Sequence, residues 1–272
     1  MYDSLILEGG GIKGLAYVGA LRYFDETGIL KDITNVSGTS AGSQIATLVA
    51  SRFTYDEISD IVQKTPFHKF SDSSFGFIRD VFRLFTKYGY YKGDFMEKYM
   101  NDILYKKWNI ERITFKELFE KTKIHLRLTG TCVTSRKLEW FDHVDTPYME
   151  VAKAVRISSC IPLYFAPVKH NDKYYVDGGC LRNLPVDAFP NSKSIVLDFV
   201  GNSDDKKINS LYTFISAILD TVLNNIHMPD IKDCLRVEIP TGNVSATDFN
   251  ISDNDRKFLI YSGYNSVKKA LT

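Results

Sequence analysis

The chain has 272 residues, 44% of them hydrophobic and 25% charged, enough to bury a sizeable core in one large α/β domain or two small ones. Its 34 basic and 33 acidic residues leave a net charge of +1, which excludes an overall electrostatic case for nucleic acid and leaves any charged partner to a local patch. The four cysteines, Cys132, Cys160, Cys180 and Cys234, form no C-x-x-C pair, which argues against a zinc site and for reduced, mostly buried thiols.

The N-terminus runs straight into a strand without a charged and then apolar leader, and no apolar run reaches the ~18 residues of a membrane span. The expectation is a soluble, cytoplasmic protein whose contact with membranes is at most transient and peripheral. "SLILEGG" reads as a strand and Lys13 to Thr27 as a helix, with an apolar face at Leu15, Val18, Leu21, Tyr23 and Phe24 and a stop at Gly28. "DITNVSG" is a second short strand, and Ala41 to Arg52 a helix of small and apolar residues suited to burial against a sheet. From Thr54 to Leu104 the pattern is helical and aromatic, broken by Pro66, Gly76, Gly89 and Gly93, as in an insertion that covers the sheet. Within it, Phe77, Ile78, Val81, Phe82 and Phe85 share one helical face while Arg79, Arg83 and Lys87 line another. That pattern fits a helix lying in a lipid interface, and fits better one packed on the domain's own core.

The regular pattern resumes with "TFKELFEKT" and the strand "IHLRLTGTCV", then a strand "KLEWFDH" and a helix "YMEVAKAVRIS". A proline-bracketed loop, "KYYVDGG", the strand "KSIVLDFV", a helix from Ile208 to His227, "CLRVEIP" and a last helix from Ser252 complete the order. Alternating strands and helices imply a layered α/β/α domain. With no internal repeat, low-complexity tract or linker, one domain over residues 1–272 is expected.

The loop after the first strand has two readings. As G-x-G-x-x-G, Gly9, Gly11 and Gly14 match a dinucleotide fingerprint between a strand and a helix. As a cluster of backbone N–H groups at a helix start, the same loop suits an oxyanion. The dinucleotide reading demands an acidic residue at the end of the second strand. Asp25 and Glu26 precede that strand and Asp32 stands at its very start, whereas its end runs into "VSGTSAG". Gly38-Thr39-Ser40-Ala41-Gly42 is G-x-S-x-G between a strand and a helix, the pattern of a nucleophile elbow, where small flanking residues let strand and helix pass closely and present the serine Oγ. Consecutive strands of a β-α-β unit are usually neighbours, so the glycine loop would face Ser40 and its amides would meet the negative charge of an attacked ester carbonyl. Lys13 at the helix start either adds positive charge there or is a solvated lysine.

Ser40 needs a base. His68, His125, His143, His170 and His227 each lack a supporting acid or glycine-rich loop, and each reads as a surface or interfacial histidine. Asp177, at the end of an aromatic and β-branched strand and followed by Gly178 and Gly179, is the alternative, although D-G is also a common hairpin signal.

These blocks together resemble the patatin-like phospholipase family. Gly9-Gly10-Gly11-Ile12-Lys13-Gly14 is similar to its glycine-rich oxyanion loop, Gly38 to Gly42 to its elbow, and Asp177-Gly178-Gly179 to its D-G-G/A. "AVRISSCIPLYFAPV", with Pro162, and the pair Asn183 and Pro185 agree with further family segments, so the likeness runs in order from about Leu5 to Asp198. The resemblance implies a three-layer α/β/α sandwich with a mixed, mainly parallel central sheet. It also implies acyl-ester hydrolysis of lipids by a Ser40–Asp177 dyad, without metal or cofactor. The expected partner is a lipid or fatty-acyl ester substrate; a catalytically silent lipid-binding relative and a dinucleotide oxidoreductase are the alternatives.

Overall fold

The computed structural model describes residues 2–70, 86–201, 234–246 and 251–272, with a few single positions between them. Its centre is an eight-stranded sheet in the order β10-β9-β1-β2-β4-β8-β7, with β5 also paired to β4. These strands are β1 Ser4–Leu7, β2 Asn35–Gly38, β4 His125–Cys132, β5 Lys137–Phe141, β7 Val168–His170, β8 Lys173–Asp177, β9 Ser194–Gly201 and β10 Cys234–Gly242. The run from β10 to β4 is parallel, while β5, β8 and β7 are antiparallel to their neighbours. The sheet is therefore mixed and mainly parallel, as expected.

Parallel strands covered on both faces need apolar residues at every position. In β1, Leu5 and Leu7 enter the main core, while Ile6 turns to a second cluster with Leu184, Val186, Ala188, Phe189 and Val196. Helices α1 (Ala16–Glu26), α2 (Ala41–Ala50), α3 (Tyr55–Lys64), α4 (Asp94–Trp108), α5 (Phe115–Thr122) and α6 (Val151–Ser158) contribute to the main core. The short α7 (Gly179–Arg182) leads into the second cluster, and α8 (Asp253–Leu271) packs along α1. The three-layer α/β/α arrangement follows from this two-sided burial. Thr54 and Thr114 start α3 and α5 with reciprocal caps, each hydroxyl accepting from a glutamate amide whose carboxylate accepts the threonine amide.

The register of β4 positions the site. Leu128 to Cys132 pair with β5 along one edge. The opposite edge is taken first by β2, up to Gly38 beside Leu128, and then by β8, from Asp177 beside Gly130. The C-terminal ends of β2 and β8 therefore meet across Thr129.

Several boundaries differ from the sequence reading. The helix expected from Lys13 opens as a 3-10 turn, Gly11–Leu15, and becomes α-helical at Ala16. The helix read in "YMEVAKAVRIS" starts at Val151, because Glu150 is still bridged to Thr114 in extended form. Two three-residue strands, β3 (Gly89–Tyr91) and β6 (Leu163–Phe165), pair in parallel where a helical pattern and a loop were expected. Asp177-Gly178-Gly179 opens α7 rather than a hairpin. The amphipathic residues Phe77, Ile78, Arg79, Val81, Phe82, Arg83 and Phe85 lie outside the described residues, as does most of the expected helix from Ile208 to His227. Among the described residues, no helix is long and apolar enough to cross a membrane. All four cysteines are free, Cys132 and Cys160 fully buried.

α1 and α8 cross on glycines: a Cβ on Gly19 would strike the Ile260 carbonyl, and one on Gly263 the Ala16 carbonyl. Gly263→Val should force the helices apart and lower unfolding stability by about 1–3 kcal/mol in urea titration. An unchanged midpoint would show that the pair can separate freely.

Candidate active site

Between the end of β2 and the start of α2, Ser40 adopts φ 51 and ψ −121, a backbone that costs a residue bearing a Cβ on the order of 1–3 kcal/mol. The surroundings hold it there. A Cβ on Gly38 would collide with the Gly42 carbonyl, and one on Gly42 with the carbonyls of Leu7 and Glu8, so only glycine lets α2 start this close to β1 and β2. The Ser40 amide donates to Ser158 Oγ at 3.0 Å, and Ser43 Oγ donates to the Ser40 carbonyl at 2.6 Å. Thr39 Oγ1 donates to the Arg182 carbonyl at 2.9 Å, so Thr129 is the donor in the 2.7 Å bond between the two threonine hydroxyls.

Asp177 ends β8 on the other side of Thr129. Its amide donates to the Cys160 carbonyl at 2.8 Å, and its Oδ1 accepts from the Gly179 amide at 2.7 Å. Gly178 lies against Thr129, whose Oγ1 occupies the place a Cβ would need. Burial pushes the Asp177 carboxyl up to about 7, while hydrogen bonds from the Gly179 amide and the Ser40 hydroxyl pull it down. Ser40 and Asp177 are only 7% and 6% exposed. A strained serine thus lies close enough to a desolvated carboxyl for its hydroxyl to favour the charged form.

The glycine loop runs along the same pocket. An ideal Cβ on Gly9 would lie 3.2 Å from Ser40 Cβ, and one on Gly14 would lie 3.1 Å from Ala41 Cβ. The Gly9 amide is already committed to the Asn183 carbonyl at 3.0 Å, that of Ile12 to Ala246 at 2.9 Å and that of Lys13 to Gly10 at 3.1 Å. The amides of Gly10 and Gly11 find no backbone acceptor among the described residues. Gly11 sits at φ 55, and a Cβ there would strike the Ala246 carbonyl. Lys13 turns its Nζ towards Gly201, and its charge acts on Glu8.

An apolar cleft of about 820 Å³, counted out to its open mouth, starts at Ser40 and Gly11 and runs between α2, α3 and α4. Ile45, Leu48, Ile61, Val62, Met100 and Ile103 form its walls, and Phe67, Phe70 and Phe165 its aromatic side. The segment read from sequence as a cover for the sheet supplies one wall of this cleft. No described histidine lines it. His125 Nε2 lies 3.4 Å from Asp142, His143 stacks on Phe119 with ring centroids 3.7 Å apart, and His170 sits near Tyr175. The His68 side chain and His227 lie outside the described residues. Among the described residues, no cluster of three or more His, Cys, Asp or Glu is arranged to hold a metal ion.

A family profile described as patatin-like phospholipase matches residues 5–190. The chain belongs to the patatin-like phospholipase family. A protein of Acanthamoeba polyphaga mimivirus is 29% identical over 98% of this chain and 93% of its own length. The probable lipid hydrolase 463L of Invertebrate iridescent virus 6 is also 29% identical, over 83% of this chain and 73% of its own. In fold, the chain is similar to VipD from Legionella pneumophila, with a TM-score of 0.70 at 20% identity, covering 99% of this chain and 66% of that one.

Some members of this patatin-like site carry no clear mark in the sequence. Ser158 holds the Ser40 amide from 118 positions away, and only the small-residue run "RISSC" hints at it. Thr129, also distant in sequence, reads simply as a strand residue. Asn183, part of an N-x-P, clamps Gly9 through both its backbone and its side chain.

An acid whose folded-state pKa is raised binds more protons in the native than in the unfolded chain between its two pKa values. For Asp177 these are 3.8 and about 7, so its contribution to stability falls as pH rises through that window and stays lowest above it. Asp177→Asn removes that penalty and keeps an acceptor for the Gly179 amide. The variant should exceed the parent by on the order of 2–4 kcal/mol in urea unfolding at about pH 8, and by much less below about pH 4. Equal gains at both pH values would mean that ionisation of Asp177 does not strain the fold.

Proposed function

We propose that this protein hydrolyses fatty-acyl ester bonds of lipids, in the manner of a phospholipase A or lysophospholipase, through Ser40 as nucleophile and Asp177 as general base. The observation that carries this reading is the strained Ser40 set beside the buried Asp177 carboxyl, whose charged form its hydroxyl favours, at the head of an apolar cleft. Ser40 Oγ attacks the ester carbonyl carbon while Asp177 takes the hydroxyl proton. Negative charge develops on the carbonyl oxygen, where the uncommitted amides of Gly10 and Gly11 and the start of the Lys13 turn stabilise it. Collapse breaks the bond to the leaving alkoxide, which receives the proton from Asp177, and the acyl group stays on Ser40. Water then attacks the acyl-enzyme, Asp177 accepts its proton and returns it to Ser40, and the fatty acid leaves.

The environment supports this division of labour. A solvated aspartate near pKa 4 is a weak base, whereas one raised to about 7 by burial is matched to proton transfer at neutral pH. Gly38 and Gly42 act by letting backbones approach closely, Gly9, Gly14 and Gly178 by leaving room for Asn183, Ala41 and Thr129, and Gly179 by donating its amide to Asp177. The cleft takes the acyl tail, each buried methylene contributing about 0.8 kcal/mol. Substrates presented from a lipid surface fit this apolar entrance, and the relative named as a probable lipid hydrolase supports the same class.

Ser40→Ala and Asp177→Asn should each abolish turnover of a short-chain chromogenic ester with the fold intact, and the double variant should be little worse than either. Single Gln replacements of His68, His125, His143, His170 and His227 should keep most of it; a folded histidine variant as inactive as Ser40→Ala would transfer the role of base to that residue. In the parent, kcat/KM should fall about tenfold per unit below about pH 7, as the base becomes protonated. Gly11→Val should lower kcat by ~10²–10³ with a smaller change in KM, provided circular dichroism remains native. A change confined to KM would assign the loop to substrate binding.

A further inference from the structure

Behind the glycine loop lies a chain of polar side chains that the proposed reaction does not use. Glu8, the residue before the loop, accepts from Asn183 Nδ2 on Oε1 at 2.9 Å and from the Phe199 amide on Oε2 at 2.6 Å. The same Asn183 Nδ2 donates to the Gly9 carbonyl at 3.1 Å, and the Asn183 carbonyl accepts the Gly9 amide at 3.0 Å. One asparagine therefore grips Gly9 on both its polar groups, and Glu8 orients that asparagine. On its other side the Glu8 carboxyl faces that of Asp198, near enough for the Asp198 charge to oppose its ionisation. Asp198 is 4% exposed and is held from β10 by Arg236, whose Nε donates to Oδ2 at 2.7 Å.

Two neighbouring buried carboxyls with one guanidinium bonded to Asp198 favour a single negative charge. Arg236 faces Asp198 directly, which leaves the proton on Glu8. We propose that Glu8 is a positioning residue: as a neutral acid donating its proton to Asp198, it holds Asn183 and thereby Gly9, keeping the Gly10 and Gly11 amides aimed beside Ser40. Burial and the Asp198 charge push the Glu8 carboxyl up to about 8, against the pull of the Phe199 amide and Lys13. Above that pH a second negative charge appears beside Asp198, the Glu8–Asp198 bond is lost, and the clamp on Gly9 loosens. The other groups facing this cluster are Lys13 from the 3-10 turn and Tyr17 from α1, whose hydroxyl donates to the Glu8 carbonyl at 2.7 Å. Tyr17 is pushed well above its ordinary value by burial, and Arg236 is raised by its bond to Asp198, so neither changes charge near neutrality.

This proposal rests on the Ser40–Asp177 reading, and the test separates the two. The parent's kcat on a chromogenic acyl ester should fall about tenfold per unit above about pH 8, with KM nearly constant. Glu8→Gln, which replaces only one of the two acceptors and cannot ionise, should lower kcat about threefold to tenfold near pH 7 and lose that alkaline fall. An alkaline limb unchanged in Glu8→Gln overturns the proposal. Asp198→Asn provides a second arm: without the neighbouring charge, ionisation of Glu8 no longer breaks the clamp, so persistence of the parent's limb in this variant also overturns it. Melting temperature gives a readout independent of turnover. It should drop from about pH 6 to about pH 8 in the parent and less in Glu8→Gln, whereas equal drops count against the proposal. Absence of any esterase activity in the parent would sink the catalytic reading alone and leave this thermal arm to decide on Glu8.

Discussion

Because β5 occupies one edge of β4 from Leu128 to Cys132, β2 and β8 must share the other, and the rest of the site depends on that division. β2 stops at Leu128 and β8 reaches Gly130 from the opposite direction. Two strands that run antiparallel to each other thus end face to face, separated by the single residue Thr129. The segments leaving the two strands are then forced into proximity: the elbow with Ser40 after one, and Asp177 with the start of α7 after the other. Thr129 hydrogen-bonds to Thr39 and packs on Gly178, so the spacer itself holds both ends. β1, on the far side of β2, delivers the glycine loop to the same place.

Convergence of three chain segments leaves little volume for side chains, which explains the glycines better than any need for flexibility. Gly38 and Gly42 remove the steric barrier between β2 and α2, Gly42 also lets α2 approach the end of β1, and Gly178 gives way to Thr129. Ser40, which must carry a side chain, takes the strain instead, at φ 51. The same crowding excludes water from Asp177. A carboxyl at this depth is a poor contributor to stability and a good proton acceptor, two consequences of one desolvation.

Sequence alone carries the parts of this arrangement that are local. G-x-S-x-G, the β-α-β-α opening and the aromatic strand before Asp177 are readable because spacing and apolar periodicity act over a few residues. The pairing of short strands is less legible: β3 and β6 contain three residues each, too few for alternation to register, and their partners are far apart in the chain. The loop's division of labour is likewise set from outside. Which amides are free depends on Asn183 and Ala246, so a glycine motif cannot by itself distinguish Gly9 from Gly10. Glu8 reads as an ordinary polar residue after a strand, because the carboxyl it faces lies about 190 positions later. The cleft wall is also a tertiary product, since α3 and α4 look like a cover until their apolar faces are set against α2.

Glu8 and Asp177 bring two raised carboxyls to opposite sides of one glycine loop, and their surroundings give them opposite duties. Among the described residues no carboxylate acts on Asp177; burial raises it, and the Gly179 amide and the Ser40 hydroxyl favour its charged form. Such a group ionises near neutrality without electrostatic conflict, as a base must. Glu8 is raised by burial and also by the charge of Asp198, so its ionisation sets two charges against each other. Such a group serves as a structural hydrogen-bond hub only while it remains neutral. One loop thus depends on a carboxyl that has lost its proton and on another that has kept it, and the different neighbours of Asp177 and Glu8 are what let a single fold hold both states.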